Sequence, residues 1–344
     1  HDVAARAGVS VATVSRVINR KSLVREETSL HVMAVARSMK YVPNVVARSL
    51  SLRRSHTIGI VLPDVHGEFF SEVIRGIDLA ARNSAYHILV SGSHSDREEM
   101  LEVLDTMQGR VDALIVMAPE AGAQAMDDDL PSNVPIVLLN SVAVDRDTLT
   151  IDNYGGATAM MRHMLSLGYE RIAFIKGPDH NADARERLRG YRRIAPRNPA
   201  SSVRDLELAG DFSESSGYDA VLTAMAAGRK FDAVFAANDS MAVGALSALA
   251  ESGLRVPADV AVVGFDDIPI ARFVTPALTT IRVDIAELGR RAFQTVFEAM
   301  ERPSRRPIRE RLPTSLVVRS SCGAANLPST LVHPGQQQVS RRRT

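Results

Sequence analysis

The sequence predicts a small all-α head joined by a hinge helix to a two-lobed α/β body with doubly wound parallel sheets. Three observations predict it. A helix-turn-helix pattern occupies residues 1–19. A lone short helical segment follows at Val45–Leu50. Beyond His56, apolar runs of strand length alternate with helical stretches, and the alternation then restarts.

In the head, Asp2 is a candidate N-cap ahead of Val3-Ala4-Ala5-Arg6-Ala7. Gly8 supplies the tight corner, where a positive φ is tolerated without a Cβ. Ser10 can cap the second helix through its hydroxyl. Val14, Val17 and Ile18 recur at i, i+3 and i+4, so that face packs inward. Val11, Ala12, Ser15, Arg16 and Asn19 lie on the other faces, small and hydrogen-bonding enough to enter a major groove. Residues 20–24 form a basic loop placed to touch phosphates. Arg25 to Met39 is a third helix, with Leu30, Met33, Ala34 and Val32 expected to close a small core.

Pro43 breaks that helix. The segment from Val45 to Leu50 has one or two turns and cannot hold itself helical in water. It reads either as a flexible basic linker or as a hinge that folds only on DNA, with Leu50 wedged between base steps of the minor groove.

In the body, 57–63, 86–90, 111–117 and 134–139 read as strands, separated by helices at 69–83 and 97–107. The second run has helices at 155–167, 185–195, 213–228, 240–252 and 285–300, with strands at 171–175, 233–236 and 260–265. Right-handed crossovers follow from this order. Residues 325–344 carry no apolar periodicity and read as a disordered tail. The expected divisions are therefore 1–41, 42–56, 57–324 and 325–344.

Charge separates the same parts. The net charge is +1, yet residues 1–54 hold ten Lys/Arg against three Asp/Glu, the tail adds three Arg, and residues 55–324 carry about −9. A basic head on an acidic body points to a polyanion partner. The single cysteine excludes an intrachain disulfide and fits a reducing cytoplasm. No signal peptide is evident, and no apolar run is long enough for a membrane span. The first helix pattern is already under way at residue 1, so a few residues are expected to precede it.

The motifs Val-Ala-Thr-Val-Ser-Arg-Val-Ile-Asn at 11–19, Tyr41-Val42-Pro43-Asn44, Ala47-Arg48-Ser49-Leu50, Ala237-Asn238-Asp239, Gly264-Phe265-Asp266-Asp267 and Thr275 to Ile281 occur in order. By them the chain resembles the lactose-repressor (LacI/GalR) family of bacterial transcription regulators, from His1 to about Gly323. The resemblance implies a periplasmic-binding-protein-like body and a homodimer on a pseudo-palindromic operator. It implies groove or phosphate contacts at Ser10, Thr13, Ser15 and Asn19, and base reading by Val11, Ala12 and Arg16. Leu50 with Ala47 takes the place of the minor-groove wedge. Arg25 departs from the family's usual capping Ser.

Ligands of doubly wound sheets bind beyond the carboxyl ends of the strands. Asp64, Asn140, Arg187, Asn238, Asp239, Asp266 and Asp267 fall there. An Arg with Asn and Asp partners suits a polyhydroxylated ligand, because each hydroxyl both donates and accepts. The family parallel places ligand contacts at Phe69, Asn181, Asp183, Arg187, Phe212, Asn238 and Asp266. Each has a plainer reading: Asn238 and Asp239 as helix caps, Phe212 as core, Asp267 and Arg185 as structural. The stripe Val73, Ile74, Ile77 and Ala81 is a candidate dimer surface that can equally pack on the sheet.

The function expected is a cytoplasmic, ligand-controlled DNA-binding repressor with a sugar effector, no cofactor and no metal. An activator, a purine-type corepressor response or a periplasmic-type sugar-binding protein are the alternatives. An enzyme is disfavoured, since the chain has no glycine-rich phosphate loop, no paired Cys/His spacing and no nucleophile elbow.

Overall fold

The computed structural model describes residues 2–18, 24–41, 54–119, 130–141, 145–195 and 203–324. The hinge helix expected at 45–50, with Ala47 and Leu50, lies outside these residues, as do Asn19 and the expected disordered tail.

The head has three helices: α1 (Asp2–Arg6), α2 (Val11–Ile18) and α3 (Glu26–Ser38). Gly8 turns the corner at φ +64°. Ser10 Oγ accepts from Thr13 N at 3.1 Å, the cap its position predicts. Asp2 is already helical and lies in the first turn of α1, rather than before it. Arg25 precedes α3 without any side-chain capping bond.

The core of the head differs from expectation on one helix. Val3, Ala4, Ala7, Val14 and Val17 are buried against Val32 and Ala36 of α3. Leu30 and Met33, expected inside, are 63% and 40% exposed, and Ala34 is exposed as well. The helical period explains it: Val32, Val35, Ala36 and Met39 share one face, and Leu30, Met33 and Ala34 point off it.

The first lobe is a six-stranded sheet: β1 (Thr57–Leu62), β2 (His87–Gly92), β3 (Ala113–Met117), β4 (Ile136–Leu139), β5 (Asp147–Ile151) and β11 (Arg309–Leu312). Its order is β11-β5-β4-β3-β1-β2, and every pairing is parallel. Helix α4 (Glu68–Asn83) follows β1, and α5 (Arg97–Met107) follows β2. Ile58, Ile60 and Leu62 join one core, while Val61 joins another with Met100, Leu104 and Met107 of α5. Burial on both faces makes β1 a continuous apolar run.

The second lobe is built on β6 (Ile172–Ile175), β7 (Glu207–Leu208), β8 (Ala233–Ala236), β9 (Ala261–Asp266), β10 (Thr279–Arg282) and β12 (Ser315–Val317). Its order is β12-β10-β9-β8-β6-β7, parallel except that β12 runs against β10. Its helices are α6 (Asn153–Ser166), α7 (Ala182–Ile194), α8 (Glu214–Ala226) and α9 (Asp239–Glu251).

The last helix, α10 (Ile285–Glu301), was expected to close the second lobe. It packs instead along α4 of the first lobe. A Cβ on Gly289 would sit 2.2 Å from the Val73 carbonyl oxygen, so the two backbones nearly touch. The chain therefore passes between lobes after β5, again between β10 and α10, and again between β11 and β12. Of the two readings open for the stripe, core packing holds: Val73, Ile77 and Ala81 are fully buried, and Ile74 is half-buried against the core.

Candidate functional site

The carboxyl ends of both sheets face one cavity of about 300 Å³. All seven predicted ligand residues line it: Phe69, Asn181, Asp183, Arg187, Phe212, Asn238 and Asp266. Asn140, singled out from its place after β4, lines it too. Larger hollows of about 680 and 640 Å³ lie at the amino ends of the first-lobe strands and in the groove between α4 and α10. The smaller cavity is the one that gathers left-handed backbone (Asn140, Phe212, Asp266) together with the Arg187–Asp266 pair.

Arg187 forms its floor. It leaves α7 fully buried, and its guanidinium lies 3.9 Å from the Phe265 ring centroid. Nε donates to Asn153 Oδ1 at 2.8 Å, and Nη1 donates to the Ala237 carbonyl at 2.6 Å. Nη2 lies 3.0 Å from Asp266 Oδ1. Asn153 Nδ2 in turn donates to Asp183 Oδ1 at 2.7 Å. A network of this kind fixes side-chain positions before a ligand arrives.

Burial pushes the Asp266 carboxyl up to about 6, with Arg187 offsetting part of the rise. Asp239 lies behind it, completely buried, and its carboxyl is pushed well above the usual range by burial and by Asp266. It accepts from Thr280 Oγ1 at 2.6 Å and from Ile268 N at 3.0 Å. Asp239 is thus a structural brace, not the cap of α9. Asn238 is that cap: its Oδ1 accepts from Met241 N at 3.0 Å, and its Nδ2 donates to the Phe212 carbonyl at 2.9 Å. Asn181 caps α7 through Ala184 N at 3.0 Å. Cap and lining roles coincide at both residues.

Phe212 is half-buried, packed against the core on one side and lining the cavity on the other, and holds φ +77°. Asn140 (φ +52°) and Asp266 (φ +111°) are also left-handed. Such backbones cost of order 1–3 kcal/mol each and persist where the surroundings over-determine them. Asp267 binds Arg282 Nε at 2.7 Å and Arg319 Nη2 at 2.5 Å, the structural role expected of it. Arg185 binds the carbonyls of Asp179 and His180, equally structural.

Two residues of the site were missed from sequence. Asn153 ties Arg187 to Asp183, yet a residue opening a helix carries no sequence mark of that role. Glu68 Oε2 accepts from Ile270 N at 2.8 Å and so bridges the lobes at the cavity mouth. Ala182 N adds a second bridge to the Pro119 carbonyl at 3.0 Å.

On the head, Ser10, Val11, Ala12, Ser15 and Arg16 are exposed and Thr13 is half-buried. Val11, Ala12, Ser15 and Arg16 share the outward side of α2, opposite the buried Val14 and Val17. Among the described residues no helix is long and apolar enough to cross a membrane, and no cluster of His, Cys, Asp and Glu has the grouping to hold a metal ion.

Comparison with known proteins assigns both parts. Residues 1–44 match the family model "Bacterial regulatory proteins, lacI family". Residues 161–322 match "Periplasmic binding protein-like domain". The ribose operon repressor of Escherichia coli K12 is 35% identical over 325 residues, 93% of this chain and 98% of that protein. The HTH-type transcriptional regulator GalR of the same strain is 31% identical over 335 residues, 96% and 97% of the two chains. Among solved structures, the Lac repressor dimer bound to operator and the anti-inducer ONPF has a TM-score of 0.83 at 31% identity, covering 93% of this chain and 98% of that one. A LacI family regulator from Enterococcus faecium with bound ribose has a TM-score of 0.68 at 26% identity, covering 77% and 98%. The chain belongs to the lacI family of bacterial regulatory proteins, and its head and body are those of a DNA-binding transcriptional regulator.

Proposed function

We propose that the chain is a repressor that grips a two-fold symmetric operator as a homodimer, under the control of a sugar bound between its lobes. The observation that carries this is the cavity floor. A paired, buried Arg187 and Asp266 flanked by Asn140, Asn181 and Asn238 offers donors and acceptors in the alternation that hydroxyls require. Phe69 and Phe212 supply apolar wall for the face of a sugar ring. The ribose named in the operon repressor and bound in the Enterococcus structure supports the same ligand class.

Residues 1–41 bind DNA in this reading, 42–56 are the hinge, 57–324 bind ligand and dimerise, and 325–344 are a tail. Val11, Ala12 and Arg16 read bases; Ser10, Thr13, Ser15 and Asn19 hold the backbone. Leu50 and Ala47 insert at the operator centre. Ligand changes the angle between lobes, which sets the separation of the two hinges and so whether they fold on DNA. The protein works in the cytoplasm by binding rather than by catalysis.

The test is a selection of bound duplexes from a random DNA pool, repeated with sugars and with purine bases. A two-fold symmetric motif whose recovery responds to a sugar is expected. A response to purines alone would assign the cleft to a corepressor of that class. Sequence-independent binding under every condition would overturn the reading.

A further inference from the structure

We infer that the cleft takes an uncharged, donor-rich monosaccharide and rejects the phosphate ester of the same sugar; this rests on the sugar reading above. Two independent observations converge on it.

The first is the balance of charge. Six carboxylates line the cavity: Asp64, Glu68, Asp183, Asp211, Glu214 and Asp266. Arg187 is the one Lys or Arg among the lining residues. Its guanidinium is already engaged by Asn153, by the Ala237 carbonyl and by Asp266. Hydrogen bonds from Ser213 hold the Asp211 carboxyl below its usual range, so it stays ionised. Apart from Arg187, His66 and His180, no side chain lining this space can carry a positive charge, and an entering anion meets the six carboxylates.

The second is the sense of the unmet hydrogen bonds. Among the described residues, four buried side-chain atoms lack a hydrogen-bond partner, and two of them face this cavity: Asn140 Oδ1 and Asp266 Oδ1. The Asp266 oxygen lies near Arg187 Nη2 but out of hydrogen-bond alignment. Both atoms are acceptors, and leaving a buried acceptor unmet is costly. A sugar hydroxyl can donate to each. The phosphate group of an ester has only acceptors to offer, so these two atoms reward the sugar's hydroxyls and give the phosphate itself no partner. The volume, about 300 Å³, is at the small end of ligand cavities and suits a single ring.

This places the regulator in a reaction sequence. Phosphoryl transfer from a nucleoside triphosphate to a sugar hydroxyl forms the ester's O–P bond and releases the nucleoside diphosphate. That transfer converts effector into non-ligand and ends the signal, so the protein reads the sugar pool upstream of kinase-type chemistry.

The test is calorimetric titration of the full chain with a panel of unphosphorylated pentoses and hexoses, their monophosphates, and purine bases. A neutral sugar should bind, with its ester on the order of a hundredfold weaker. Raising salt should narrow that gap, because three of the carboxylates are exposed and screened, while the neutral sugar's affinity stays constant. Glu214→Gln should narrow it as well. For D-ribose, the uncharged 5-O-methyl ether separates size from charge: it should bind better than D-ribose 5-phosphate. Equal or tighter binding of the ester overturns the inference while the sugar reading stands. A gap unmoved by salt and by Glu214→Gln, with the ether rejected equally, also overturns it and assigns the exclusion to shape. Binding of no sugar of either kind overturns the sugar reading itself.

Discussion

Arg187 Nη2 and Asp266 Oδ1 lie 3.0 Å apart at the floor of the cleft, with both side chains almost wholly withdrawn from water. A buried pair is strongly unfavourable to break from one side, because the survivor is left charged and alone. Arg187→Ala should therefore cost about 3–5 kcal/mol of body stability and abolish the ligand response. Arg187→Met combined with Asp266→Asn, which tolerates the φ of +111°, should regain much of the stability but none of the response. Urea denaturation beside ligand titration separates the two effects. A stable Arg187→Ala variant that still responds would remove this residue from the site.

The pH dependence has a definite sign. Asp266 holds its proton up to about pH 6, above the usual carboxylate value, because burial disfavours its charge. Between about pH 4 and 6 the folded state thus binds more protons than the unfolded one. The Asp266 contribution to stability is lost as pH rises through that window and is level above it, a change of about 3 kcal/mol. Asp266→Asn should remove this slope in matched unfolding curves. Sugar affinity should run the other way, falling by up to about tenfold per unit below pH 6 as the charged acceptor is protonated.

Gly289→Ala tests the contact of α4 with α10. Its new Cβ would meet the Val73 carbonyl backbone at 2.2 Å, which no rotamer change relieves. The expected loss is about 3 kcal/mol or more. Gln294→Ala, on the exposed side of the same helix, should stay within about 0.5 kcal/mol of wild type.

The head gives a paired prediction. Leu30→Ser should leave its stability almost unchanged, whereas Val32→Ala, at a fully buried position, should cost about 2 kcal/mol. Hydrogen exchange of the amides of α3 in the full chain reads both. Comparable losses would restore Leu30 to the core.

Arg16→Ala should relax base preference in each half-site by roughly 1–3 kcal/mol. A selected motif unchanged from wild type would reduce Arg16 to a phosphate contact, which lowers affinity for all sequences alike.

The body was legible where burial is two-sided and the strand is a continuous apolar run. Asp147–Ile151 and Thr279–Arg282 are buried inside their sheets but were missed, because threonines and charged residues interrupt the run. Thr57–Leu62 reads as a strand because both faces are covered. Arg309–Leu312, with the sequence Arg-Glu-Arg-Leu, is an edge strand open to water, and nothing in its composition separates it from a loop. Asn140, Asn238 and Asp266 were legible because polar residues follow the strand ends, whereas Asn181 and Asp183 were placed only through the family resemblance. Helix α3 was misread for a different reason. Its apolar residues run from Leu30 to Ala36 on nearly every side, so the period alone does not choose the inward face. Only the packing of Val3, Val14 and Val17 against Val32 chooses it. Asn153 and Glu68 were unreadable because their partners, Arg187 and Ile270, lie 34 and 202 residues away.

The three passages of chain between the lobes have a mechanical consequence. A single tether would let one lobe swivel and roll on the other. Three segments side by side act as the leaves of a door hinge, resisting twist and leaving one easy direction of swing. The third passage begins where β11 leaves the sheet edge beside β5. The lobe nearest the amino terminus thus depends on residues close to the opposite end of the chain. Cutting before Arg309 would strip a strand from each lobe, β11 from the first and β12 from the second, and slacken the joint between them.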